Sequence, residues 1–216
     1  GAKTVSHLRF GKKPIKAPYL ITSADFIACH QFSFVEKEEM LAFAKNGATF
    51  LLNSQYSADD VWDKLPLNIQ QTILDKNIKL YVIDATEVAK QTGMAGRINT
   101  IMQTCFFALS GVLPPDEAIA QIKKAIDKTY YKKGISVIEK NFKAVDQTLE
   151  NLFQVNVPES ATAKARELFG IPEIAPEFVR RVTQMMIAGQ GDNIPVSAMP
   201  IDGTYPNGTS KWEKRN

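Results

Sequence analysis

The sequence is poor in the residues that build metal and redox chemistry. Its 216 residues hold only two cysteines, Cys29 and Cys105, far apart and without Cys-x-x-Cys spacing. This excludes a Cys-x-x-Cys-x-x-Cys cluster run and a disulfide framework, and makes a reducing cytoplasm the simplest compartment. Both cysteines stand in apolar surroundings and read as buried core thiols. Asp59, Asp60 and Asp63 have no histidine or cysteine near them, which argues against a metal site there. No apolar run approaches the roughly 20 residues that span a bilayer, and no secretory signal opens the chain. A net charge of +3 is too small to argue for nucleic acid. The absence of a Gly-x-x-x-x-Gly-Lys-[Ser/Thr] loop speaks against an ATP-binding module.

What is present is ordinary for a soluble domain: 44% hydrophobic and 23% charged residues, in a length that fits one large domain or one domain plus a tail. Alternating apolar residues predict a strand over 3–10. Short apolar runs predict further strands at 17–22, 26–30, 48–53 and 78–83. Helical spacing predicts helices over 34–45, 68–75, from about Thr86, 98–109, after Pro114-Pro115, and 137–153. In the last of these, Ile138, Phe142, Val145, Leu149 and Phe153 form the expected stripe. Ser57-Ala58-Asp59-Asp60 has the form of a capping box, and Asp84 of an N-cap. Strands alternating with helices imply an α/β fold, a layered sheet with helices and a helix-rich second half. After Pro158 prolines and glycines accumulate. A short helix is expected between Glu177 and Ala188, and an extended C-terminal arm from Gly189. The expected organisation is therefore a domain over 1–188 and a linker arm over 189–216.

The most informative stretch is Gly93-Met94-Ala95-Gly96-Arg97-Ile98-Asn99-Thr100, which leads into an apolar helix. A glycine-flanked turn there delivers an arginine and an asparagine to the first helical turn. Free N–H groups and the positive end of the helix dipole gather at the same place and suit an anion such as phosphate. The same turn also serves simply to end one helix and start the next, and both readings stand. A second candidate patch is Ser6, His7 and Arg9. On a strand His7 and Arg9 share a face and Ser6 takes the other. They read either as ligand-facing or as a hydrogen-bonded histidine and an edge ion pair. Lys3, Lys12, Lys13 and Lys16 surround them, with no acidic residue before Asp25.

The continuation Ile101-Met102-Gln103-Thr104-Cys105-Phe106-Phe107 and Ala108-Leu109-Ser110-Gly111-Val112-Leu113-Pro114 carries a family resemblance. So do Thr4-Val5-Ser6-His7-Leu8-Arg9-Phe10-Gly11, Ala28-Cys29-His30-Gln31, Gly47-Ala48-Thr49-Phe50-Leu51-Leu52-Asn53, and the stretch from Pro195 to Pro206 with Gly208-Thr209 and Trp212-Glu213-Lys214-Arg215. Together they resemble the third, gamma-type domain of the pyruvate:ferredoxin (flavodoxin) oxidoreductases, within the 2-oxoacid:acceptor oxidoreductase family. The resemblance extends over nearly the whole chain.

It implies a fragment of an enzyme that oxidatively decarboxylates pyruvate to acetyl-CoA and CO2, passing electrons to ferredoxin or flavodoxin. Thiamine diphosphate, Mg2+ and [4Fe–4S] clusters would belong to the intact enzyme, with coenzyme A as co-substrate. This stretch has no Gly-Asp-Gly plus Asn pattern for the diphosphate, so the fragment is expected to hold none of these cofactors and to be inactive alone. The family's opening glycine-rich strand–turn–helix is expected to precede residue 1, and an iron–sulfur domain to follow residue 216. The implied role is closure over the active site and part of the coenzyme A site, through Gly93, Gly96, Arg97, Asn99 and Thr100, with Ser6, His7 and Arg9. The implied partners are the thiamine-binding and iron–sulfur domains of a homo-oligomeric parent, with neither membrane nor nucleic acid. Ala95 and Tyr131 stand where the family commonly has glycine. The competing reading is a docking module with no ligand of its own.

Overall fold

The computed structural model describes residues 4–94, 96–164, 171–187 and 190–213. The chain forms two compact units, Gly1–Arg166 and Glu167–Asn216. The expected boundary at 188/189 falls on residues outside the described ones, as do Lys3, Ala95, Lys214 and Arg215.

A four-stranded sheet organises the first unit. Strands β1 (Ala24–Cys29), β2 (Ala44–Asn53) and β3 (Lys79–Ile83) run parallel in chain order. A two-residue β4 (Phe153–Gln154) joins β3 antiparallel. In β2 the consecutive residues Phe50, Leu51 and Leu52 are all fully buried, as a parallel strand covered on both faces requires. Alternation decides which layer each residue joins. Phe50, Leu52, Leu80 and Val82 pack with Val35, Leu41, Trp62, Leu65, Ile69 and Ile73, the last two from helix α1 (Leu67–Asp75). Leu51 and Ile83 face the other way, onto helices α2 (Ala85–Gln91) and α3 (Asn99–Ser110). Helices α4 (Pro115–Tyr130) and α5 (Ile135–Glu150) add a further cluster, in which Ile122 and Ile126 meet Ile138 and Val145. The α/β class and the helix-rich second half are thus as expected.

Local chemistry sets the element ends. The Asp84 carboxylate accepts from the Glu87 amide at 2.8 Å and opens α2. Ser57 Oγ accepts from the Asp60 amide at 3.2 Å, so the expected cap exists, but it precedes a 3-10 turn at Trp62–Lys64. Gly134, at φ 96 and ψ 158, lies just before α5 in a region open in practice only to glycine. The fully buried Gln70 fastens α1 to the segment after β4. Its Nε2 donates to the Trp62 carbonyl at 2.6 Å, and its Oε1 accepts from the amides of Thr162 and Ala163 at 2.8 and 2.9 Å.

Three expectations fail. Residues 4–10 and 17–22 pair with no strand and form one irregular segment. Among the described residues no neighbouring strand meets their alternating pattern, and side chains hold the segment instead. Residues 34–45 are not a helix: a 3-10 turn at Phe32–Phe34 passes into further turns, and β2 starts at Ala44. The connection between parallel β1 and β2 buries Val35 and Leu41, and turns achieve that without a regular stripe. In α5 the buried arc is Ile138, Asn141, Ala144, Val145 and Thr148, whereas Leu149 is exposed and Phe153 belongs to β4. The arc is shifted because α5 packs against both α3 and α4.

In the second unit the expected helix is present. A π-helical turn at Val179–Thr183 runs into α6 (Gln184–Ile187), and short 3-10 turns follow. Among its described residues Ala175, Val179 and Val182 are buried, and the Phe178 and Tyr205 rings meet edge-on at 5.1 Å.

Candidate functional site

The turn between α2 and α3 is built around two left-handed glycines, Gly93 at φ +70° and Gly96 at φ +78°. Any other residue at either position would be strained. The Arg97 amide closes the turn on the Met94 carbonyl at 2.9 Å. Helix α3 then begins at Asn99 with no side-chain cap and no acidic residue in its first turn. Its first amides therefore remain available to an outside acceptor, at the positive end of the helix. Arg97 and Asn99 are exposed and have no ion-pair or hydrogen-bond partner among the described residues. Thr100 faces inward and donates to Asn141 Oδ1 of α5 at 3.4 Å.

One residue at this turn escaped the sequence reading. The Lys140 side chain lies against Gly93: a Cβ built on that glycine would stand 3.6 Å from Lys140 Cε and 3.9 Å from Nζ. Lys140 is also unpaired among the described residues. The turn thus carries an exposed arginine, Arg97, and has Lys140 against Gly93, beside an uncapped helix start; these are donor types that suit an anion. No sequence signal announced Lys140, because it reaches the turn only through the packing of α5 on α3.

The second patch is arranged differently. His7 Nδ1 accepts from the Ile21 amide at 3.0 Å, so the ring carries its proton on Nε2 when neutral. Arg9 donates to the Ala17 carbonyl at 3.3 Å and lies over the Tyr19 ring at 4.9 Å. The two side chains close the 4–22 segment on itself, and Ser6 is exposed. Phe10 then stacks on Phe106 of α3 at 5.4 Å, and Phe106 meets Phe26 of β1 at 5.1 Å. Thus the 93–100 turn is exposed at Gly93, Gly96, Arg97 and Asn99. The second patch is partly engaged in holding its own segment.

At the carboxyl ends of the parallel strands a buried amide joins two elements. Asn53 Nδ2 donates to the His30 carbonyl at 3.0 Å, and its Oδ1 accepts from the Ala85 amide at 2.9 Å. His30 is exposed as a residue, yet partial withdrawal of its ring from water lowers its pKa below the ordinary 6.5. Cys29 and Cys105 are free and buried. Among the described residues no group of three His, Cys, Asp or Glu side chains could hold a metal ion. No helix among them is long and apolar enough to cross a membrane.

Comparison with known proteins agrees with the family read from the sequence. The pattern of a family described as pyruvate ferredoxin/flavodoxin oxidoreductase matches residues 1–151, and that of a domain of unknown function matches residues 167–216. Pyruvate-flavodoxin oxidoreductase of Rhodospirillum rubrum is 60% identical over 220 residues, covering 100% of this chain and 18% of that protein. Pyruvate:ferredoxin oxidoreductase of Moorella thermoacetica is 46% identical over 215 residues, again covering 100% of this chain and 18% of that protein. A solved structure of pyruvate oxidoreductase subunit PORC from Thermotoga maritima has a TM-score of 0.48 and 20% identity, covering 62% of this chain and 66% of its own. The chain spans under a fifth of the length of these two curated relatives. On the match over residues 1–151 and the identity along its whole length, the chain belongs to the pyruvate ferredoxin/flavodoxin oxidoreductase family.

Proposed function

We propose that this chain is one domain of an enzyme that oxidatively decarboxylates pyruvate to acetyl-CoA and CO2, delivering electrons to ferredoxin or flavodoxin, and that its α2–α3 turn binds a phosphate of coenzyme A. The observation that carries the reading is the pair Arg97 and Lys140, both without a partner among the described residues, beside the uncapped start of α3. Gly93 and Gly96 shape the approach, and Asn99 and Thr100 supply first-turn amides. Ser6, the Nε2 side of His7 and the remaining N–H groups of Arg9 form a secondary contact in this reading.

Thiamine diphosphate with Mg2+ and the iron–sulfur clusters belong, in this proposal, to other domains. The residues here do not fit them: two isolated buried thiols offer no cluster ligand set, and among the described residues no group of three His, Cys, Asp or Glu side chains is assembled. What the chain itself does is bind and orient the coenzyme and cover the reacting centre. Its two unpaired cysteines suit the cytoplasm.

The test is steady-state kinetics of the intact enzyme. Arg97→Ala raises the KM for coenzyme A by about tenfold, the loss of one charge-assisted contact, and leaves the KM for pyruvate near its original value. Lys140→Ala acts in the same direction. Unchanged coenzyme A kinetics in both variants would remove the turn from the site. A second reading, a docking module without a ligand, is favoured by the exposed apolar residues of the 4–22 segment. It predicts instead that Arg97→Ala lowers stability and alters all kinetic constants together.

A further inference from the structure

In three places asparagine or aspartate precedes a glycine: Asn46-Gly47, Asp202-Gly203 and Asn207-Gly208. All six residues are exposed, and the three glycines share a left-handed backbone, at φ +73°, +73° and +81°. What separates the pairs is hydrogen bonding. The Gly47 amide donates to the Lys76 carbonyl at 2.7 Å. The Gly203 amide donates to the Pro200 carbonyl at 3.0 Å, and Asp202 Oδ1 accepts from the Thr204 amide and hydroxyl at 3.0 and 2.8 Å. At the third pair the Gly208 amide has no acceptor, and the Asn207 side chain no partner, among the described residues.

We propose that Asn207 is a site of spontaneous deamidation, at which the Gly208 backbone nitrogen attacks the side-chain carboxamide. Base takes the Gly208 amide proton, the nitrogen bonds to Asn207 Cγ, and the carboxamide nitrogen leaves as ammonia. The product is a five-membered succinimide, which water then opens; nothing is oxidised or reduced. Opening at Cγ leaves an aspartyl residue, and opening at the main-chain carbonyl leaves an isoaspartyl link that runs through the side chain. Glycine favours ring closure because it has no Cβ to crowd the approach, and the left-handed backbone at 208 keeps glycine there. Asn46 is protected, because the Gly47 amide must first give up its bond by local opening. At Asp202 the Thr204 amide and then its hydroxyl hold the carboxyl below the usual range, and an ionised carboxylate resists the same attack. The reactive pair lies between two anchors: the Tyr205 hydroxyl, 3.1 Å from Thr183 Oγ1, and the buried Thr209. An isoaspartyl link lengthens the main chain between them by one carbon and adds a negative charge. The reaction is independent of any ligand at the α2–α3 turn.

The experiment incubates the intact enzyme at mildly alkaline pH and follows it by peptide mapping with mass spectrometry. The expected result is that the peptide holding Asn207 exchanges an NH for an oxygen, at least about tenfold faster than the peptide holding Asn46. A methyltransferase specific for isoaspartate labels the same peptide. In concentrated urea, where the Gly47 bond is gone, the two rates converge. Asn207→Gln abolishes the product at this site, because the longer side chain closes a six-membered ring far more slowly. An Asn207 peptide that stays unmodified in the folded enzyme, while the urea-unfolded chain reacts, overturns the proposal. Asn46 reacting as fast as Asn207 in the folded enzyme does so too, since the hydrogen bond would then confer no protection. Rates that stay equally far apart in urea also count against it, because flanking residues rather than the fold would then select the site.

Discussion

Cys29 and Cys105 are 1% and 0% exposed, and burial pushes their thiols up to about 11 and about 12 from an ordinary 9.0. A raised folded-state value means that both states hold the proton below pH 9, where the contribution to stability is complete. Above that the unfolded chain ionises first, so stability falls as pH rises toward about 11 for Cys29 and about 12 for Cys105. Unfolding followed against pH is expected to show this alkaline loss, on the order of 3 kcal/mol for Cys29 and 4 kcal/mol for Cys105. Iodoacetamide at neutral pH should label neither cysteine until denaturant is added. Rapid labelling of the native protein would contradict the enclosure. The apolar neighbours of both thiols made this burial legible in the sequence. The residue scale also shows where reading stops. Arg97 stood out because glycines frame it, whereas Lys140 lies on a helix of evenly mixed charge and gains its meaning only from the neighbour it touches.

At the scale of elements, the most readable features were those with their own chemistry. Asp84 and Pro115 opened helices near the expected places, and the buried strand of β2 followed from its apolar run. The connection at residues 34–45 was misread because its apolar spacing is set by two core slots, those of Val35 and Leu41, rather than by a helical period. The 4–10 segment was misread for a related reason: alternation specifies a strand only when another strand is there to pair with it. Elements also fail in predictable ways. Gly134→Ala forces a side chain into φ 96 and is expected to cost about 1–3 kcal/mol, measured by urea unfolding. Gln70→Ala removes the buried bonds between α1 and the 162–163 backbone. An expected loss on the order of 2–4 kcal/mol should come with faster proteolysis near Thr162. A stable variant with unchanged proteolysis would show that the segment is held elsewhere.

For the whole molecule, the family was legible in short blocks spread along the chain, and the α/β class in its alternating elements. The assignment of a coenzyme to the 93–100 turn goes further and stands on charge and geometry. If it is right, Arg97→Lys in the intact enzyme retains more coenzyme A affinity than Arg97→Ala, because a point charge replaces the planar fork only in part. Equal losses would mean that shape matters there and charge does not. His30 adds a pH dependence. Its lowered pKa means that the unfolded chain takes up the proton first as pH falls below 6.5. Stability present above that value is therefore lost toward acid. An NMR titration of His30 should place its midpoint below the ordinary 6.5.

The Asn53 amide has a consequence for how the sheet is assembled. It reaches the exit of β1 and the first turn of α2 at once, and it lies one position beyond a leucine sealed in the core. Were β2 to slide by a single residue, that carboxamide would be thrust among hydrocarbon side chains with both partners lost, while a leucine was turned toward the opposite layer. One polar side chain thus acts as a proofreader, making a misaligned sheet costly.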